Sequence, residues 1–219
     1  MLKYPRTFHF DFSPEIHSDD KVANQQDLLK NFIGKEIIIT EKYDGENSCL
    51  KPKEGVFARS HALPTFNPWS SWLKGLFYEK VHLMNDKYWY FGENMYAIHS
   101  IEYTKLDSFF YLFAIYDTER KVWLSFNEVV NEAVRLGIKV VKVRFRGIFK
   151  NLKEIKVFMD KEIKKPSVLG GECEGFVART ENEFDNQDFQ ANVVKYVRNG
   201  HVQTDEHWKA NWKPAKLNS

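Results

Sequence analysis

Three consecutive isoleucines, Ile37, Ile38 and Ile39, sit in the middle of Glu36 to Lys42. β-Branched residues on successive positions put apolar surface on both sides of an extended chain, so this segment reads as a buried strand. Asp44-Gly45 follows at once, a strong turn signal. The rest of the chain supplies further short strands: Gly55 to Arg59, Tyr88 to Phe91, Phe109 to Tyr116, Ile138 to Val143, Glu174 to Arg179 and Val193 to Arg198. Helical spacing is found over Asp27 to Phe32, Pro68 to Met84 and Asn151 to Lys165, the last stopped by Pro166. The best punctuated helix has Ser125 and Glu128 as a capping box, Val129, Val130, Ala133 and Leu136 as its apolar face, and Gly137 as its end. Thr204 to Trp212 is a candidate for a short terminal helix. Strands outnumber helices and do not alternate with them. The fold class is therefore α+β with largely antiparallel sheets, not a doubly wound parallel sheet.

Bulk properties narrow the class. The 219 residues suffice for one substantial domain, and 43% hydrophobic content with 18 Phe, 10 Tyr and 6 Trp can fill its core. A net charge of +2 excludes a basic mass that coats nucleic acid, so any polyanion site must come from local clustering of Lys and Arg. Two cysteines, Cys49 and Cys173, make no disulfide framework and no metal-type spacing. Neither a leader-like apolar stretch in Met1 to Phe12 nor a long apolar run elsewhere is found, which points to a soluble cytoplasmic protein without a membrane.

Lys42-Tyr43-Asp44-Gly45 taken alone is a strand running into a hairpin turn with a Lys beside it. Phe91-Gly92-Glu93 and Glu174-Gly175-Phe176-Val177 each place a carboxylate at a strand end, and Val193 to Arg198 brings basic residues out of an apolar strand. In this order the segments resemble the collinear motifs of the covalent nucleotidyltransferase superfamily, which comprises DNA ligases, RNA ligases and mRNA capping enzymes. The likeness narrows with Tyr4-Pro5-Arg6-Thr7, Ser18-Asp19-Asp20 and Thr40 to Asn47. Ala58-Arg59-Ser60, Gly92 to Ile101, Glu174 to Arg179, Lys195 to Arg198 and His201 to Trp208 extend it. Across nearly its whole length the chain is similar to small bacterial and phage ATP-dependent RNA ligases.

That resemblance implies an antiparallel-sheet nucleotidyltransferase domain, ATP-grasp-like, with flanking helices and no separate OB domain. Residues 1–219 would form one adenylyltransferase domain, with 1–35 as an N-terminal extension and 199–219 as a short C-terminal tail. Lys42 would be the nucleophile that carries AMP. A free Lys is neutral in only roughly one molecule in a thousand at pH 7.4, so the site must lower its pKa or hold the amine ready. Lys195 is the candidate cation for this and for the ATP α-phosphate. Glu174 is the candidate ligand for Mg²⁺ or Mn²⁺, which need few protein carboxylates. Glu93 matches the ribose-binding carboxylate, and Arg59 the contact to ribose or the incoming 5′-phosphate. Phe113 would stack on adenine, Val177 would close its other face, Glu41 would help to recognise the base, and Asp44 and Gly45 complete the ATP set. Arg198, His201 and Trp208 are RNA-binding candidates. Lys-x-Lys is usual in the last motif; here Val197 follows Tyr196, and Arg198 is the candidate to take over a cationic role. RNA with 5′-phosphate and 3′-hydroxyl ends would be the substrate, with a partner protein as one way to supply RNA binding. The competing classes are a capping guanylyltransferase, a DNA nick ligase and a non-catalytic RNA-end-binding module. The first two normally carry a further domain, and only about twenty residues follow Arg198 here.

Overall fold

The isoleucine run does become a buried strand, covered on both faces from Ile37 to Glu41. A computed structural model of the protein describes residues 3–59, 63–200 and 211–218. In chain order the strands are β1 (Phe8–His9), β2 (Glu36–Lys42), β3 (Glu46–Lys51), β4 (Gly55–Ala58), β5 (Tyr88–Asn94), β6 (Phe110–Asp117) and β7 (Val122–Trp123). They continue with β8 (Lys139–Val140), β9 (Val143–Ile148), β10 (Gly175–Thr180), β11 (Phe184–Asp185) and β12 (Val193–Val197). The helices are α1 (Gln25–Phe32), α2 (Ser71–Lys80), α3 (Phe126–Leu136), α4 (Leu152–Glu162) and α5 (Phe189–Asn192). One sheet has the order β1-β12-β10-β2-β9; the other runs β11-β7-β6-β5-β3-β4, with β8 also pairing to β6. Every ladder is antiparallel except β1 with β12 and β6 with β8. The α+β architecture is as the sequence implied, and the described residues contain no separate OB barrel.

Strand alternation explains the layers. Ile37, Ile39, Phe176, Ala178, Val194 and Tyr196 share one face of the first sheet and pack on Leu28 and Phe32 of α1 and Ile155 and Met159 of α4. The second sheet turns Leu50, Tyr90, Leu112 and Ile115 outward onto Leu73 and Phe77 of α2 and Val129, Ala133 and Leu136 of α3. The inner faces meet through Phe91, Ala114 and Trp123 on one side and Phe189 and Val193 on the other. Helices thus lie outside and a cleft is left between the sheets.

Local signals hold at α3, where Ser125 and Glu128 close the capping box and Gly137 ends the helix at φ 66°. Two readings need correction. The strand expected over Ile138 to Val143 is split into β8 and β9, because Val143 to Ile148 alternates apolar and basic residues along an exposed sheet edge. Asp44-Gly45 is not a hairpin: β2 and β3 belong to different sheets, so the chain crosses the cleft there. The proposed terminal helix over Thr204 to Trp212 lies almost wholly outside the described residues. Among the described residues no helix is long and apolar enough to cross a membrane.

Candidate active site

Lys42 is the last residue of β2, immediately before the chain crosses between the sheets. Asp44 pins the crossing: its Oδ2 accepts hydrogen bonds from the Ser100 amide (2.8 Å), the Ser100 hydroxyl (2.6 Å) and the Ile101 amide (2.8 Å). The Asp44 amide donates to the Tyr103 hydroxyl at 3.0 Å. Gly45 is required by space. A Cβ there would stand 2.7 Å from both the Asn94 carbonyl oxygen and Met95 Sδ. The supporting 96–106 segment is itself strapped down by residues 211–218. Ala97 bridges to Pro214 and Leu106 to Leu217, and the Ile98 amide donates to the Lys213 carbonyl at 2.9 Å.

The register places Gly175 opposite Lys42, and Val177 between Thr40 on β2 and Lys195 on β12. Glu174, at the foot of β10, lies beneath the nucleophile candidate, and the Lys42 ammonium donates to its Oε1. The carboxylate is only 3% exposed against 30% for the Lys42 side chain. This contact changes the expected proton balance at Lys42. Burial lowers its pKa, but Glu174, Glu93 and Asp44 together outweigh burial and raise it. The lowered amine is instead Lys195, where burial dominates over Asp20 and Lys42 adds to the fall.

From the second sheet, Glu93 accepts the Gly45 amide at 3.2 Å through Oε1. Burial pushes its carboxyl up to about 8; Lys42 pulls it back, while Glu174 and Asp44 add to the rise. Phe113 reaches the cleft because of a register fault. Phe91 pairs with Ala114 but Gly92 pairs with Leu112, leaving Phe113 as the unpaired residue of a bulge that aims its ring inward. Its ring meets Tyr4 edge-on at 5.0 Å, and Tyr4 also contacts Phe91, Trp123 and Phe189. Arg59 is held at the rim by its amide on the Asn47 carbonyl at 3.0 Å. The cleft measures about 690 Å³, and Lys42, Gly45, Arg59, Glu93, Phe113, Val177 and Lys195 all line it. That volume falls in the range of small-molecule pockets.

Of three further expected site residues, Glu41 lines the cleft, whereas Asp44 and Arg198 do not. The Glu41 side chain alternates away from Lys42 and is fully buried, accepting Arg144 Nη1 at 3.1 Å and the Val168 amide at 3.2 Å. Glu41 is nonetheless among the residues that line the cleft. Asp44 does not line the cleft, since its carboxylate is committed to the 100–101 turn. Arg198 pairs with Glu172 at 2.7 Å, and its amide donates to the Glu174 carbonyl at 3.0 Å. It falls outside the cleft lining. His201 and Trp208 lie outside the described residues.

The family model for RNA ligase matches residues 35–197, most of the chain. The chain belongs to the RNA ligase family. Similar solved structures include a mutant Naegleria gruberi RNA ligase with ATP and Mn, at 17% identity and TM-score 0.58, covering 90% of this chain and 58% of that one. The same enzyme with PPi matches at 18% identity and TM-score 0.58, over 94% and 65%. An archaeal ATP-dependent RNA ligase matches at 13% identity and TM-score 0.56, over 89% and 48%. At these identities the structures speak for the fold. This RNA ligase chain spans less than two thirds of the length of each. No curated protein matches it in sequence.

Sequence reasoning gave no role to Tyr4, His9, Thr40, Asn47 or Asp20 of this RNA ligase family member. Tyr4, Thr40, Asn47 and Asp20 line the cleft, and His9 lies opposite Lys195 in the β1–β12 ladder. Only the Tyr4-Pro5-Arg6-Thr7 and Ser18-Asp19-Asp20 runs had signalled that the N-terminal segment carries anything.

Proposed function

We propose that this RNA ligase family member is an ATP-dependent RNA ligase acting through a covalent lysyl-AMP at Lys42. The supporting observation is the meeting, at one sheet crossing, of Lys42 with Glu174 beneath it and Glu93 and Lys195 around it. In the first step Lys42 Nζ forms a bond to the α-phosphorus of ATP as the bond to pyrophosphate breaks. AMP then passes to an RNA 5′-phosphate. A 3′-hydroxyl attacks that activated end, forms the phosphodiester and releases AMP.

The residues divide the work. The Phe113 ring and Val177 give apolar faces for adenine, and Glu93 accepts hydrogen bonds from the ribose. Arg59 and Lys195 offset phosphate charge. Deprotonation of Lys42 requires the negative charge of Glu174 to be met by another partner. A divalent ion, Mg²⁺ or Mn²⁺, fits that need. Among the described residues no three His, Cys, Asp or Glu converge on a metal position, but one hard carboxylate at Glu174 with phosphate and water oxygens is a donor set that Mg²⁺ accepts. When bound, the ion would polarise the phosphoryl oxygens and draw on the Glu174 charge. Residues 1–219 act as one adenylyltransferase unit in this reading, with 1–35 and 199–219 as extensions. The buried free thiols Cys49 and Cys173 suit a reducing cytoplasm.

The test is direct. The protein is incubated with α-labelled ATP or GTP and Mg²⁺ or Mn²⁺, then denatured. Covalent label from ATP, abolished by Lys42→Ala, is expected. Label from GTP alone would move the activity to the capping class, and no label from either would overturn the reading. Joining of 5′-phosphorylated RNA but not DNA strands is expected in a second assay.

A further inference from the structure

The segment before residue 35 lies outside the matched family region, yet it reaches the cleft beside Lys195. β1 pairs in parallel with β12, setting His9 opposite Lys195. Beyond β1 the chain loops back, the His9 amide donates to the Lys21 carbonyl at 2.8 Å, and Asp20 is brought under the strand end. The Asp20 side chain is 4% exposed. Its Oδ1 stands 3.6 Å from Lys195 Nζ, 3.2 Å from His9 Nε2 and 3.2 Å from Arg6 Nη2; its Oδ2 accepts the His17 amide at 3.1 Å.

We infer that Asp20 is a positioning residue for Lys195, supplied by the N-terminal segment. This rests on the ligase reading above. Lys195 is a long, flexible side chain in a partly buried position, and an ammonium there needs a fixed counter-charge. The described residues place no carboxylate other than Asp20 in an ion pair with it. Asp20 is itself held in place by an amide and by Arg6, so it can define where Nζ sits. His9 is buried and locked by Ser13, whose hydroxyl lies 3.2 Å from Nδ1 and accepts the Val197 amide at 2.9 Å. That lock ties the loop to β12. Burial works against ionisation of Asp20, but the His17 amide, Lys195, His9 and Arg6 still hold its carboxyl down to about 2. The carboxylate is therefore charged at neutral pH, where it faces Lys195. Asp20 touches neither nucleotide nor nucleophile in this role; it acts through Lys195.

A double-mutant cycle tests this. Single-turnover labelling of the full chain with α-labelled ATP is measured for wild type, Asp20→Asn, Lys195→Ala and the double variant, over a range of ATP concentrations. Asp20→Asn is expected to slow the maximal rate roughly tenfold with half-saturating ATP unchanged within about twofold. In the Lys195→Ala background the same change is expected to alter the residual rate by less than about twofold, because the residue it acts through is gone. Asp20→Glu should recover most of the rate. Effects that multiply across the two sites would overturn the inference, as would an unchanged rate in Asp20→Asn. Where Asp20→Asn does not fold, Asp20→Ser carries the cycle: slowed labelling with Lys195 present and no further slowing in the Lys195→Ala background supports positioning, and equal slowing in both backgrounds or an unchanged rate overturns it. Wild-type protein that takes no label overturns the ligase reading as well, and so is told apart from failure of the cycle.

Discussion

Gly175→Ala should separate the two strands that carry the basic and acidic halves of the site. Gly175 is flanked by Lys42 on β2 and Val197 on β12. A Cβ there would lie 2.1 Å from the Tyr196 carbonyl oxygen and 3.0 Å from Val197 Cα, whereas real Cβ atoms essentially never come under 3.0 Å. The obstacle is backbone, which cannot swing aside as a side chain can. β12 must therefore retreat by about 0.9 Å, from the difference between those two distances. Overpacking of this sort costs about 1–3 kcal/mol, and a backbone clash belongs at the upper end. For a chain of this size ~3 kcal/mol lowers Tm by roughly 6–12 °C. Lys195 lies two residues from Val197, so the retreat also carries it away from Lys42. A misplacement of about 1 Å costs on the order of a hundredfold in rate. Thermal unfolding and covalent labelling with α-labelled ATP measure the two effects. Gly75→Ala is the control: it sits inside α2 with nothing within 4 Å of the added Cβ, and it should gain about 0.5–1 kcal/mol. A Gly175→Ala protein that loses under about 2 °C and labels within twofold of wild type would refute the reasoning.

Two further changes follow from buried charge. Arg144→Ala leaves Glu41 and Glu162 without the guanidinium that bridges them, both being nearly or wholly buried; urea unfolding should show a loss of about 3–5 kcal/mol, and a loss under about 1 would dismiss the bridge as a stabilising element. His9 has its pKa lowered to about 4 by burial first and by Lys195 next, with Asp20 opposing. As pH falls below about 6.5 the unfolded chain takes up this proton before the folded one does, so stability falls between about 6.5 and 4 and levels off below. The loss is on the order of 3 kcal/mol, and His9→Gln should remove that part of the acid dependence; an identical pH profile in the variant would contradict it.

What could be read from residues alone depended on whether the cause was local. The Ile37–Ile39 run and the Ser125–Glu128 box are local statements about burial and capping, and both held. Asp44-Gly45 is a local turn signal too, but a turn does not say which sheet the next strand joins. Here Asp44 is captured by an amide pair 56 and 57 residues further on. β3 was passed over because Glu46, Asn47 and Ser48 carry no apolar alternation, although pairing with β4 and β5 makes it an interior strand. The same limit explains Glu41: its position next to Lys42 suggested a shared site, while strand alternation sends adjacent side chains to opposite faces. The aim of Phe113 depends on a bulge that no propensity encodes. Asp20 and Lys195 are brought together by a parallel pairing across the whole length of the domain, which hydrophobic pattern cannot anticipate.

The strap formed by residues 211–218 has a bearing on how the protein is made. It supports the 96–106 segment, and that segment fixes the turn after Lys42. The turn after Lys42 is therefore completed by a segment that leaves the ribosome some 170 residues later. β1 likewise waits for β12. Early helices and hairpins can form during synthesis, but the cleft between the sheets takes its described form only after the chain has been made as far as Leu217.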